Sequence, residues 1–372
     1  ITIYVALELT SLPMVALAAI MRDERSSEAG LKFLVLSGIS SAVLLYGMVF
    51  VYGYTGTTDL DGILREITRI GAVEGQPFGS YALMFGLVAM VAGFAFKMAV
   101  VPFHMWVPDV YEGAPTPVTA YLSVASKAAA FAVVMRVLYS AFGSEGLTQE
   151  WSGMLAVMAA ASMLAGNLLA LWQRNIKRML AYSTIAHAGY ILMGLAAVMA
   201  NTGSDGWIAG PESVLFYLGG YAATNLAAFF AVIAITNRTG SDLIDSFAGM
   251  GRRAPLMALF LAVGPISLLG MPPTVGFMAK AFVFSAAVSS GLLWLAVLGA
   301  VSTAISAFYY LRVVRVMYLD KPKTDEKLPA DAPLIAVAGL AVAGVAVFGV
   351  GPWLLIRLAE QAVRMLPSLP GA

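Results

Sequence analysis

Residues 81–108 read YALMFGLVAMVAGFAFKMAVVPFHMWVP, an apolar run interrupted by one lysine, Lys97, and by Pro102 and Pro108. Continuous hydrophobicity over this length reads as a membrane-crossing helix rather than a barrel strand, whose side chains alternate polar with apolar. A lysine inside such a helix costs at least ~2.5–3.5 kcal/mol on insertion scales, and a proline removes a ladder hydrogen bond and kinks the helix. The stretch therefore predicts an interrupted transmembrane helix that carries a charge within the bilayer.

The remainder of the chain is of the same kind. Of 372 residues, 60% are hydrophobic and 12% charged, and the mean hydropathy is +0.84. Soluble domains carry about 25% charged residues, so the chain is read as an all-α integral membrane protein. Ten spanning segments are expected, at about 1–21, 30–53, 79–108, 115–139, 151–172, 178–200, 213–235, 254–290, 292–318 and 331–351. The segment 254–290 holds Pro265, Gly270, Pro272, Pro273 and Gly276. Like 79–108, it is expected to be an interrupted helix that crosses once. Thr116 and Pro117 fit a helix start, with the threonine as cap and the proline first in the helix. The stretch 54–78, with Ile63, Leu64, Ile67 and Ile70 at helical spacing, reads as a short interfacial helix, and 353–366 as an amphipathic tail on the membrane surface.

Single crossings at both interrupted segments sort the basic residues. One side then holds Arg22, Arg25, Lys32, Arg174, Lys177, Arg178 and most of the others through Arg312–Lys327; the opposite side holds Arg65, Arg69, Arg136, Arg357 and Arg364. By the positive-inside rule the rich side is cytoplasmic. The motif Gly93-Phe94-Ala95-Phe96-Lys97 recurs as Gly276-Phe277-Met278-Ala279-Lys280 in the other broken helix, five crossings away and so running in the opposite direction. Opposed broken helices in two halves are the pattern of inverted-repeat transporters. The expected division is an incomplete first half over 1–139, an inverted second half over 151–318, and a final helix with a short tail over 331–372. No n-region or cleavage site precedes the first apolar helix, so it is not read as a signal peptide. Residue 1 is Ile, and the first helices of the repeat are expected to be missing upstream.

Five ionisable residues lie inside these runs: Glu8, Lys97, Lys127, His187 and Lys280. Lys127 is too far from either helix end to snorkel. It reads as a proton carrier or as a lysine bonded to a backbone carbonyl in a buried crevice. Lys97 and Lys280 sit in broken helices, where unpaired carbonyls and amides face a cavity able to hold water; the alternative is that the prolines only shape packing. Glu8 is the one acid deep in a segment and calls for a cationic partner, with Lys97 the choice, unless it is protonated and bonded to a carbonyl. His187 has an unperturbed pKa near neutral and reads as a relay or a satisfied structural group, whereas His104 reads as structural. Asp109, Glu112 and Arg136 fall near membrane boundaries, as anchors or interloop pairs. The absence of cysteine removes disulfides, iron–sulfur clusters and thiolate metal sites. Two histidines are too few for most haem arrangements, so the chain has no evident redox centre or metal site of its own. Nothing in it suggests nucleic acid as a partner.

The run from Lys97 through Pro102, Trp106 and Asp109 to Pro117, with Ser126-Lys127, Asn175 to His187 and Gly276 to Lys280, closely resembles the antiporter-like subunit N family of bacterial NADH-quinone oxidoreductase, respiratory complex I. The resemblance spans essentially the whole chain and implies helices five through fourteen of that family. It implies a multi-pass protein of the bacterial inner (plasma) membrane, with other membrane subunits, including sister antiporter-like subunits, as partners beside membrane lipid. It further implies that Glu8 pairs with Lys97, that Lys127 and His187 link two half-channels, and that Lys280 lies at the far one. NADH, FMN, iron–sulfur clusters and quinone are then expected in partner subunits, and the activity is proton translocation coupled to quinone reduction there. The competing readings are a subunit of a multisubunit Na⁺/H⁺ antiporter, which shares the fold and these lysines, a membrane-bound hydrogenase subunit, and a non-pumping scaffold.

Overall fold

The computed structural model describes residues 1–74, 81–144, 146–198, 210–322, 326–329 and 331–365. Every regular element among the described residues is helical. Eight helices are long and apolar enough to cross a bilayer, with three shorter apolar helices beside them, Thr2–Ala18, Pro255–Leu269 and Val275–Ser289. All ten expected segments coincide with helices. Positions 75–80, 199–200 and 366–372, at the edges of the expected loop, segments and tail, lie outside the described residues.

The chain begins with α1 (Thr2–Ala18) and α2 (Glu24–Thr55). The second starts before the expected residue 30 because Asp23 caps it, its carboxylate accepting the Ser26 amide at 2.7 Å, with Glu24 in the first turn. The interfacial stretch folds as α3 (Leu60–Glu74), which turns Ile63 and Ile67 inward. The first interrupted segment comprises α4 (Tyr81–Met98) and α5 (Trp106–Gly113). Ala99 ends α4 in the left-handed region, at φ +62°, a conformation that costs an L residue roughly 1–2 kcal/mol. The broken end does not stay open: the Trp106 indole donates to the Phe96 carbonyl at 3.1 Å and stacks on Phe33 with ring centroids 4.8 Å apart.

The next span is Thr116–Ala141. Its helix starts at Thr116 rather than after it, with Pro115 preceding the first turn and Pro117 within it, so Thr116 is not the cap. The span is α6 (Thr116–Tyr121), a π-helical turn (Leu122–Ser126) and α7 (Lys127–Ala141). Then come α8 (Leu147–Ala170), α9 (Ile176–Ala196) and α10 (Gly210–Thr239), followed by a 3₁₀ turn (Ile244–Phe247) and a short α11 (Met250–Arg253). Asn175 starts α9 by accepting the Lys177 and Arg178 amides. Almost every side chain of α9 is buried, as a helix apolar on all sides requires. It packs against α5, α8 and α10.

The second interrupted segment is α12 (Pro255–Leu269) and α13 (Val275–Ser289). Gly270, at φ +89°, ends α12 at no steric cost. The glycine of each Gly-Phe-x-x-Lys motif marks a close approach. A methyl group on Gly93 would strike Leu44, and one on Gly276 would strike the Ser267 carbonyl. The chain closes with α14 (Leu293–Tyr318), α15 (Ala332–Val350) and α16 (Trp353–Val363). Few side chains of α15 are buried, while α16 turns Ala359 inward and packs against α10.

Candidate functional site: a buried line of ionisable side chains

Glu8 and Lys97 meet. The Lys97 ammonium lies 3.2 Å from Glu8 Oε1 and also donates to Ser11 Oγ at 2.6 Å and Ser37 Oγ at 3.3 Å. Ser41 Oγ donates to the same carboxylate oxygen at 2.5 Å. Helical spacing explains the cluster: Glu8 and Ser11 are one turn apart on α1, and Ser37 and Ser41 one turn apart on α2. The Lys97 side chain is 9% exposed, which makes the pair costly to separate.

The other three ionisable groups collect around α9. Lys127, 2% exposed, donates to the Thr184 carbonyl at 2.6 Å, and its ammonium sits 5.8 Å from the centre of the Tyr221 ring. The carbonyl bond fits one of the two sequence readings without deciding between them. His187, 3% exposed, is bracketed by hydroxyls: Nδ1 is 2.7 Å from Tyr217 Oη and Nε2 is 3.1 Å from Tyr310 Oη. Tyr310 also bonds Ser183. Lys280, 5% exposed, donates to the Leu269 carbonyl at 3.0 Å and to Thr303 Oγ1 at 3.4 Å. Leu269 is the last residue of α12, so that acceptor is one the helix break leaves open. The Tyr190 ring centre lies 4.7 Å from the Lys280 ammonium. Among the described residues, neither Lys127 nor Lys280 has a carboxylate partner, and no hydrogen bond joins Lys97 to this second group.

Sequence reasoning missed most of the hydroxyl and amide groups around these side chains. Asn167 ties α8 to α14: its amide donates to Ser302 Oγ at 2.7 Å and accepts from Tyr309 Oη at 2.8 Å. Tyr190 Oη receives a bond from Thr303 at 3.0 Å, and Tyr221 Oη bonds Thr184 Oγ1 at 2.9 Å and accepts from Asn225 at 3.1 Å. A signal was present in the spacing: Tyr217, Tyr221 and Asn225, and likewise Ser183, His187 and Tyr190, recur every three or four residues along otherwise apolar helices. His104 joins neither group; its Nδ1 is buried with no hydrogen-bond partner among the described residues.

Near the membrane boundary Asp109 and Glu112 pair with cations. Arg178 lies 2.8 Å from both, and Lys32 lies 2.8 Å from Asp109. Partial burial pushes the Asp109 carboxyl upward, but hydrogen bonds and charge from Lys32 and Arg178 outweigh it and hold the group below its ordinary range.

Interrupted helices around buried ionisable groups are the build of membrane proteins that move ions. Residues 1–306 match the family described as NADH:quinone oxidoreductase/Mrp antiporter, TM, and the chain belongs to that family. It is 44% identical over 369 residues to NADH-quinone oxidoreductase subunit N of Dehalococcoides mccartyi, covering 98% of this chain and 75% of that one. A chain of respiratory complex I from Thermus thermophilus with bound aureothin is 33% identical, with a TM-score of 0.78 over 95% of this chain and 74% of that one. A chain of the Mrp complex from Dietzia shares the fold, with a TM-score of 0.83 over 98% of this chain and 73% of that one, at 24% identity. The resemblance carried by the motifs is therefore borne out, and with it an antiporter-like subunit that crosses a bacterial plasma membrane many times.

Proposed function

We propose that this chain is a proton-translocating subunit of an NADH-quinone oxidoreductase, with Glu8, Lys97, Lys127, His187 and Lys280 as its relay. NADH, FMN, iron–sulfur clusters and quinone would be handled by other subunits, flanked by sister antiporter-like subunits. The chain would cross ten times as an inverted repeat divided at 1–139, 151–318 and 331–372. The observation that carries this reading is the contrast among the buried nitrogens. Lys97 has a carboxylate to hold its proton, while Lys127, His187 and Lys280 have only neutral partners among the described residues.

A change elsewhere in the complex that draws Glu8 away from Lys97 weakens the hold on that proton. Water would carry the proton onward through Lys127 and His187 to Lys280, where it is released. Moving one proton against 100 mV requires about 2.3 kcal/mol. A shift of two pKa units supplies about 2.7 kcal/mol, so rearranging one partly buried pair is on the necessary scale.

A Na⁺/H⁺ antiporter subunit is the second reading, since the Mrp chain has this fold. A non-pumping scaffold is the third. Proton movement in sealed vesicles with Lys97→Ala, normalised to assembled complex and electron-transfer rate, tests all three. The relay requires a loss of protons per electron. Full movement with Lys97→Ala would remove the role assigned to that lysine, and sodium-dependent movement without quinone reduction would favour the antiporter.

A further inference from the structure

Lys127 and Lys280 share a surrounding that Lys97 lacks. Each ammonium lies against a tyrosine ring, Tyr221 at 5.8 Å and Tyr190 at 4.7 Å, and the two rings flank the His187 imidazole with centroids 5.4 and 5.7 Å away. The order in space is lysine, ring, imidazole, ring, lysine. Both tyrosine hydroxyls are engaged sideways, Tyr221 with Thr184 and Asn225, and Tyr190 with Thr303 and Asn167. The hydroxyls are thus engaged apart from the ring that the neighbouring cation meets. Lys97 also has a ring nearby, Phe96 at 5.9 Å, but its charge is answered by Glu8.

We propose that Tyr190 and Tyr221 are positioning residues whose ring faces stand in for a counter-ion, holding the ammonium form of Lys280 and Lys127 beside His187. An aromatic quadrupole attracts a cation, and more so where water is excluded, yet it carries no net charge. A carboxylate at the same place would bind the protonated lysine far more strongly and resist release. The ring supports the charged form enough for loading and leaves it free to unload. The inference rests on the relay proposed above.

The test uses the assembled complex in sealed vesicles, read as protons moved per electron, with Lys280→Ala as reference. Tyr190→Phe and Tyr221→Phe keep the face and are expected to stay within about twofold of the unaltered complex. Tyr190→Leu and Tyr221→Leu remove it and are expected to fall to the Lys280→Ala level. Because leucine can disturb assembly, phenylalanine at position 190 is also replaced by mono-, di- and trifluorophenylalanine, which keep the shape and drain the ring face in steps. A graded decline is expected across that series. A flat series, leucine variants that pump fully, or a phenylalanine variant as deficient as Lys280→Ala would overturn the ring's role. If Lys280→Ala itself pumps fully, the relay fails and this inference with it; if Lys280→Ala is deficient and the ring variants are not, the inference alone fails.

Discussion

The two Gly-Phe-x-x-Lys motifs each border the break of an interrupted helix, the first closing α4 and the second opening α13, and their lysines meet different chemistry. Lys97 in the first finds a carboxylate and two serine hydroxyls contributed by α1 and α2. Lys280 in the second finds the carbonyl left open by its own broken helix, a threonine hydroxyl and an aromatic face. The motif sets where the ammonium sits; the neighbouring helices set how firmly its proton is held. Lys97 therefore answers to the position of α1, whereas Lys280 answers to neutral groups among the described residues.

Erasing that difference has the largest expected effect. Thr303→Glu places a carboxylate within reach of Lys280 and makes the second site resemble the first. An added attraction on the order of 4 kcal/mol, as for unit charges 4 Å apart at an effective dielectric of 20, shifts proton occupancy about a thousandfold. Pumping is expected to drop to the Lys280→Ala level with electron transfer retained, and unchanged protons per electron would refute the comparison. The reverse change, Glu8→Ala, strips the first site of its counter-charge and strands a buried ammonium. A loss of about 3 kcal/mol is expected, seen as faster thermal inactivation, and Glu8→Gln should lose less because the amide still accepts from Ser41.

A smaller change tests the scaffold around the second site. Asn167→Ala takes the acceptor of the Tyr309 hydroxyl away in a buried place, while Ser302 keeps its bond to the Met163 carbonyl, and is expected to cost about 2 kcal/mol in heat stability. A coupling ratio unchanged in the complexes that assemble separates this structural role from a relay role. The smallest effect belongs to the boundary cluster. The Asp109 carboxyl is held low, so its contribution is present above its unfolded pKa and is lost as pH falls through the lower folded value. Asp109→Asn should abolish that part of the acid sensitivity. The loss at neutral pH is no more than ~1 kcal/mol for a pair this exposed, and identical acid-inactivation curves for the two proteins would sink the assignment.

Much of the site was legible because charge in an apolar run must be answered. Glu8, alone among the acids deep in a segment, pointed to Lys97, and the clustered prolines and glycines announced both broken helices. The start of α2 was misplaced because Asp23 and Glu24 look like loop charges, although an acid before a helix serves as its cap. Tyr217, Tyr221 and Tyr310, which meet His187, escaped notice for another reason. Tyrosine is equally at home in a core and at a lipid interface, so only packing α9 against α10 and α14 shows which rings meet His187. The π-helical turn before Lys127 left no trace in residue type.

That turn has a bearing on how the chain tolerates change in length. Deleting one residue from an ordinary span swings everything beyond it by about 100°, which would turn a charged side chain toward lipid. A π turn is an α-helix that has taken in one surplus residue. Losing Val124, inside Leu122–Ser126, would let the turn tighten to the normal pitch while Lys127 kept its bearing toward Thr184. At this one step the helix holds slack, and it holds it immediately ahead of the most enclosed amine in the molecule.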